Sequence, residues 1–444
     1  MEVKKSLGLA VIGCGTVGGA VISQVLNQKA YLTERTGLNL QLLAVVQRSG
    51  STTAARKGID PKLITENLDE VLQNPAVDIV VELIGGTTTA RDSILKSLAA
   101  GKHVVTANKA LLAQHGAELF AAARKAGKAL SFEASCAGGI PIVQTLLSGL
   151  AANRIEALYG IVNGTCNYIL TEMIRKGTSY AEALAEAQAA GLAEADPTLD
   201  VSGGDSAHKL AILSALAFGK KIKFDDIPVQ GINNLEVMDV NFGRELGFVI
   251  KLLAVAQRKE NTLSLRVRPA FIWEDHPLAW ISGPFNAVSV YGSAVGHTMY
   301  YGRGAGGSPT ASAVLADIIA TGLGCSQAWF DNLSLWPDVT EPAVQLPVEE
   351  IESRYYLRLM LEDKPGILGR VAEILGEYNI SISSALQKEL PPDRVDKEGV
   401  PFVITTHLAR EGNVTQAMKK IESLPAVLEP GVIINIIDEH AEAF

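Results

Sequence analysis

Six residues near the start, Gly13-Cys14-Gly15-Thr16-Val17-Gly18, constrain the fold of this 444-residue chain more than any other stretch. An apolar run, LGLAVIG over 7–13, precedes them, as expected for a buried parallel strand. An apolar helical pattern, AVISQVL, follows. A lone G-x-G-x-x-G says little, but between a strand and a helix it has a physical meaning. Gly13 allows the turn, Gly15 lets the backbone approach a pyrophosphate, and Gly18 lets helix and strand pack closely. The helix N-terminus then faces the phosphates. A Rossmann-type α/β domain is therefore expected over residues 1–140. A tight glycine turn in some other α/β protein is the alternative. The opening MEVKKSLGLAVIGCG has the outline of a signal peptide. Its apolar run is short and lacks a cleavage pattern, so it reads as a first strand.

The second strand, residues 40–50, ends in Gln47-Arg48-Ser49. An acidic residue there would bind the ribose hydroxyl of NAD. Arg48 suits a 2′-phosphate instead, so NADP(H) is expected to be preferred, with NAD(H) still accepted. A surface arginine just past a strand is the plainer reading. Strands follow at 76–86 and 103–109, with a helix at 90–100 between them. Lys109 lies just past the second of these strands, on the ligand side of an open parallel sheet, where it can meet the nicotinamide ribose or the substrate.

Composition narrows the function classes. The length suits two or three domains. The net charge is −9, and no run of basic residues appears, which speaks against nucleic acid or an anionic membrane as partner. No apolar run reaches the roughly 18 residues of a membrane span. Cys14, Cys136, Cys166 and Cys325 are scattered without a C-x-x-C pair. That argues against a zinc site or a disulfide framework and fits a reducing cytoplasm.

Residues 141–307 alternate as strands with helices between them, the pattern of an α+β domain with a mixed sheet. Its chemistry concentrates in EADPTLDVSGGDSAHK, from Glu194 to Lys209. Pro197 keeps Glu194 and Asp196 in a loop. Asp205 and Lys209, four apart, share one face of the helix that follows. Carboxylates there can hold an ammonium group, and a lysine can act on an oxygen. On spacing alone, a solvated ion pair on a helix surface fits as well. The stretch 302–307, GRGAGG, precedes a helix at 308–325 begun by Ser308-Pro309. That helix is expected to return to the first domain. Residues 331–353 read as a linker. From 354 to 438 the order βαββαβ defines a ferredoxin-like module, with a polar loop at 391–399.

Taken in order, GCGTVGG, VVTANKALL, EASCAGGIPI, NGTCNYIL, the Glu194–Lys209 stretch, GRGAGGSPTASAVLADI and DKPGILGRVAEILGEYNIS make the chain resemble the homoserine dehydrogenases, in their long bacterial form with a C-terminal ACT regulatory domain. The resemblance implies reversible reduction of L-aspartate 4-semialdehyde to L-homoserine with NAD(P)H, by direct hydride transfer, on the way to threonine, methionine and isoleucine. It implies Lys209 as proton donor and Lys109 between cofactor and substrate. It also implies Glu194 and Asp205 as homoserine contacts, and Thr16, Val17, Arg48 and Gly306 as cofactor contacts. Glu133, Cys136, Gly138 and Ile140 match a loop that holds a monovalent cation (Na⁺ or K⁺), largely by backbone carbonyls. Cys14 stands where many relatives carry an aromatic residue. ACT-type modules pair edge to edge, so a homodimer or tetramer is expected, with L-threonine as effector near Asp363–Gly366 and Asn379. Two rivals stand beside this. One is a semialdehyde dehydrogenase using Cys136 or Cys166 as nucleophile. The other is a non-catalytic sensor of NADP and amino acids. His208 is expected to pack rather than react.

Overall fold

The computed structural model describes residues 5–48, 50–388 and 399–441. Ser49 and nearly all of the polar loop expected at 391–399 lie outside the described residues.

The first sheet contains β1 (Lys5–Ile12), β2 (Leu38–Val46), β3 (Ile64–Thr65), β4 (Ile79–Glu82), β5 (His103–Thr106) and β6 (Leu130–Ser131). All its pairs are parallel, in the order β3-β2-β1-β4-β5-β6. The order reverses between β1 and β4, and the crevice at that switch point is where such sheets bind ligands. The expected returning helix is present as Gly307–Gly322. It buries Ala311, Val314 and Ile318 against Leu7, Leu9 and Ile22, so the core of the first domain is completed from far along the chain. Ser308 does not cap it. Gly306 occupies that position with φ 118° and no side-chain hydrogen bond. A second helix, Cys325–Asn332, follows Gly324, itself left-handed at φ 84°.

The second sheet starts with β7 (Ile155–Ile161), β8 (Phe248–Lys259), β9 (Thr262–Trp273), β10 (Phe285–Gly292) and β11 (Gly296–Arg303). Helices Gly164–Lys176 and Gly204–Phe218 bury Ile169, Leu210 and Leu213 in a core with Leu252, Ala254 and Val267 of the sheet. The C-terminal module adds β12 (Glu352–Leu361), β13 (Ile382–Gln387), β14 (Val400–Thr406), the short β15 (Ala409–Arg410) and β16 (Val432–Ile436). Helices Ile367–Glu377 and Glu411–Glu422 complete the expected βαββαβ order.

The two sheets are one. β9 pairs in parallel with β16 through Asn435↔Ala270 and Ile436↔Phe271, giving a continuous mixed sheet in the order β11-β10-β7-β8-β9-β16-β12-β14-β13. Each domain therefore spends one of its pairing edges on the other. Side chains close the joint. Asp239 receives the Arg358 guanidinium (Nε–Oδ1 2.6 Å, Nη2–Oδ2 3.1 Å) and the Tyr356 hydroxyl (2.9 Å), all three buried.

The 331–353 segment is not a free linker. Its backbone exchanges hydrogen bonds with Lys221 and Leu263. Trp336 is buried against Phe120 and Phe330, and Asp338 pairs with Arg124 at 2.7 Å. Among the described residues, no single helix is long and apolar enough to cross a membrane.

Candidate active site

The glycine turn behaves as its spacing predicts. Gly13 has φ 96°. A Cβ on Gly18 would lie 2.0 Å from the Gly13 carbonyl oxygen, whereas a Cβ on Gly15 would meet nothing within 4 Å. The second glycine faces open space and the third is sealed by packing. A cleft of about 400 Å³ opens there, lined by Gly13, Cys14, Gly15, Arg48, Ile84 and Gly85 among others. Thr16 and Val17 begin the helix Thr16–Asn27 beside it. Gly306 immediately precedes Gly307, where a Cβ would lie 3.3 Å from the Thr16 oxygen, so two helix N-termini converge at one turn.

Arg48 is exposed at the rim of this cleft. Lys57, which the sequence reading passed over, donates to the Gly15 carbonyl at 2.8 Å and adds a second cation. Nothing in its local sequence marks it, because it reaches the turn only through the fold. Cys14 is buried, and burial raises its pKa despite the charge of Lys57 nearby.

Behind the cleft, Glu82 at the end of β4 accepts from the Ile84 and Gly85 amides (2.8 and 3.2 Å) and from the Thr106 hydroxyl (2.6 Å). Asn108 donates to the Gly86 carbonyl at 2.7 Å and caps the helix Lys109–Ala126 through the Leu111 amide. Lys109 is thereby fixed at the first turn of a helix tied to the cleft wall.

Lys109 meets the second domain at Asp205. Its ammonium lies 2.9 Å from Asp205 Oδ1, and Lys209 donates to Oδ2 at 2.7 Å and to the Val162 carbonyl at 2.6 Å. Gly203, left-handed at φ 87°, starts the helix that carries Asp205 and Lys209. A Cβ there would press to 2.9 Å of Val229. Asn163 donates to both Asp205 Oδ2 and Asp200 Oδ1 at 2.8 Å. Burial would raise the Asp205 pKa, but Lys209 and Lys109 outweigh it and hold the carboxyl well below the usual range. For Lys109, burial pulls the pKa down, and Asp205 with Asp200 behind it reverses the sign and raises it. Asp200 itself is raised, by burial and then by the charge of Asp205.

The surface-pair alternative is thus removed, since both Asp205 and Lys209 are buried. Glu194 stands apart, exposed on the loop, with its backbone carbonyl held by Gln188. Asn163 is the contributor that pattern reading missed; its motif, NGTCNYIL, was visible without a role. Asp200 is one of the carboxylates of the Glu194–Lys209 stretch, and the fold brings it to the Asp205 cluster through Asn163. His208 packs as expected, stacked on Phe224 at 4.5 Å.

The loop 133–140 curls through two left-handed residues, Ala137 (φ 52°) and Gly138 (φ 58°). The Glu133 carboxylate accepts from the Val143 and Gln144 amides at 2.9 and 2.7 Å. Burial still pushes its pKa up to about 7. Its side chain is therefore engaged in building the loop. Cys136 and Ile140 are buried, and a Cβ on Gly138 would collide with Gly304. No group of three or more His, Cys, Asp or Glu side chains among the described residues could hold a metal ion. Backbone oxygens are what this loop has to offer a cation.

The cysteine-nucleophile rival fails on electrostatics. Burial pushes the Cys136 thiol up to about 12, and it raises Cys166 well above its ordinary value. A nucleophilic cysteine needs the opposite shift.

A dinucleotide cleft at a switch point, with Lys109 on its wall meeting the buried Asp205–Lys209 pair of a second domain, defines an NAD(P)-dependent oxidoreductase. The family models agree: homoserine dehydrogenase, NAD binding domain, over 13–133; homoserine dehydrogenase over 141–319; and an ACT domain over 355–426. The chain is 43% identical over 436 residues to homoserine dehydrogenase of Pseudomonas aeruginosa (97% of this chain, 99% of that protein). It is 41% identical over 439 residues to that of Neisseria gonorrhoeae (98% and 100%). The crystal structure of a homoserine dehydrogenase from Thiobacillus denitrificans superposes with a TM-score of 0.91 at 42% identity, covering 98% of this chain and 99% of that one. One from S. aureus gives 0.75 at 28%, covering 97% and 99%. The chain belongs to the homoserine dehydrogenase family, enzymes that act on a CH–OH group with NAD(P).

Proposed function

We propose that this protein interconverts L-aspartate 4-semialdehyde and L-homoserine with NADP(H) in preference to NAD(H), in the synthesis of threonine, methionine and isoleucine. We further propose that L-threonine inhibits it through the C-terminal domain. The observation that carries the reaction is the Lys109–Asp205–Lys209 chain of contacts. The bound dinucleotide supplies the hydride in reduction and accepts it in oxidation. The protein's part is to meet the charge that gathers on the substrate oxygen. An ammonium has three N–H donors. Lys209 spends two of them on Val162 and Asp205, so the third is available for that oxygen and its proton. Asp205, held ionised between two lysines, orients both. Asp200, and Glu194 on the exposed loop before it, are the carboxylates offered to the substrate ammonium.

Arg48 at the end of β2, on the rim of the cleft, and Lys57 on the Gly15 carbonyl of the glycine turn support the NADP preference. The curled loop 133–140 supports a structural Na⁺ or K⁺ held by carbonyls of Glu133, Cys136, Gly138 and Ile140, tying the two catalytic domains together. In the C-terminal domain a cleft of about 310 Å³ is lined by Leu361–Leu368, Gln387 and Val400. It includes the expected Asp363–Gly366 turn and suits an amino acid. Asn379 does not line it. With φ 56° it ends the helix Ile367–Glu377 instead. A homodimer or tetramer would now have to use surfaces other than the β9 and β16 edges.

The test is reduction of NADP⁺ and of NAD⁺ at 340 nm with L-homoserine, with and without L-threonine. Turnover that prefers NADP⁺ and falls with threonine is expected. Binding of NADP⁺ without turnover would return the sensor reading, and turnover indifferent to threonine would detach the C-terminal cleft from regulation.

A further inference from the structure

At one place in the joint between the catalytic sheet and the C-terminal module, two buried arginines share a single carboxylate, Glu411, among the described residues. Arg266 and Arg268 are two apart on β9 and so point to the same face. Both are buried, Arg266 with 2% of its surface exposed. Arg268 has its counter-charge: Nη1 lies 2.8 and 2.9 Å from the two carboxylate oxygens of Glu411, and it also donates to Asn435 at 2.9 Å. Arg266 does not. Its Nη1 donates only to neutral acceptors, Ser264 Oγ at 2.7 Å and Gln257 Oε1 at 3.2 Å. It makes no ion pair among the described residues. The Nε atoms of Arg266 and Arg268 are both buried without an acceptor. Burial and then the charge of Arg268 push the Arg266 pKa down to about 10.

An unpaired guanidinium withdrawn from water is a heavy cost unless a counter-charge reaches it. A water molecule could fill the two empty donor positions but would leave the charge unbalanced. We propose that the buried Arg266–Arg268 pair, with both Nε donors unfilled at the seam between β9 and the C-terminal module, binds one small monovalent anion of halide or formate size. The site lies beside Tyr355 and Glu411 of the C-terminal module. Its occupant would bridge the two domains and is separate from both the dinucleotide cleft and the Asp363–Gly366 cleft.

The test is thermal melting of the full-length protein at fixed sodium concentration and ionic strength, exchanging gluconate for chloride, bromide or formate. A ligand bound only by the folded state raises the melting temperature saturably. The expected rise is about 3 °C or more for at least one of the small anions, absent in Arg266→Met. Crystals grown in bromide should show an anomalous peak within hydrogen-bond distance of both Nε atoms, a readout that does not depend on the variant folding. The formate arm separates a carboxylate-shaped site from a spherical one. A melting temperature indifferent to all three anions overturns the proposal. So does a crystal structure in which water or a group from a second copy of the chain fills the position.

Discussion

Two buried ionic clusters in this molecule use the same parts and do opposite things. At the active site, Asp205 lies between Lys109 and Lys209. At the domain joint, Asp239 lies between Arg358 and Tyr356. Both carboxylates come from helices and both are fully engaged. The difference is in the cations. Lysines are point charges with rotatable donors, and two of them around one carboxylate leave a donor over. The side chain of Lys109 keeps 34% exposure. Arg358 instead locks both oxygens of Asp239 in a fork and is itself buried. One cluster is open and has a donor available for chemistry. The other is closed and can only hold. Burial of charge alone does not mark an active site; an unspent donor facing a cleft does.

That contrast can be broken most decisively at Lys209. Lys209→Ala should lower kcat by about 10²–10⁴-fold, with a smaller loss of stability than at Arg358, because Lys109 stays on Asp205 as its counter-charge; near-normal turnover would end its assignment. The mirror experiment is Arg358→Met. It leaves the Asp239 charge without its partner, and removing one member of a buried pair costs about 3–5 kcal/mol. Chemical denaturation should report that loss, with kcat per folded molecule nearly unchanged. If activity fell and stability did not, the two clusters would have exchanged roles.

Acid should test the active-site cluster. The Asp205 pKa is depressed in the folded state. Its contribution to stability is therefore complete above the unfolded value of about 3.9 and is lost as pH falls below it. Asp205→Asn should flatten the stability profile below about pH 4, and an unchanged profile would mean that the lysines do not hold the charge. The smallest expected effect lies at the cofactor rim. Losing one charge-assisted contact should reduce the NADP⁺ to NAD⁺ ratio of kcat/KM about 10-fold in Lys57→Ala, measured with both cofactors at saturating L-homoserine.

Much of the architecture was legible because it depends on local pattern. The glycine turn, the helix presenting Asp205 and Lys209 four apart, and the βαββαβ order are all short-range signals. Lys57 and Asn163 were not legible as site residues, since each reaches the site across a fold-level distance. Nor could the sequence show that 331–353 is strapped down or that β9 and β16 pair. Parallel pairing leaves no turn between its strands to announce it. That pairing also means that the residues beyond about 350 do not form a separable piece. Truncation would strip the β9 edge, bare Phe271 and orphan Asp239. Threonine sensitivity is better probed by Asp363→Ala in the intact chain, where inhibition should weaken with catalysis unchanged.

The shared sheet also bears on how the protein is made. β9 is long, and its outer edge is covered in three places: Val267 by 228–230, Leu263 by 344–346, and Ala270 and Phe271 by β16, which contains almost the last described residues of the chain. During synthesis the Ala270–Phe271 end of that edge stands bare until the whole C-terminal module has emerged. An unpaired edge of this kind is a template for pairing with other nascent chains. The C-terminal module thus serves as a closing piece, and chains interrupted between β9 and β16 should go to aggregates rather than to a smaller working enzyme.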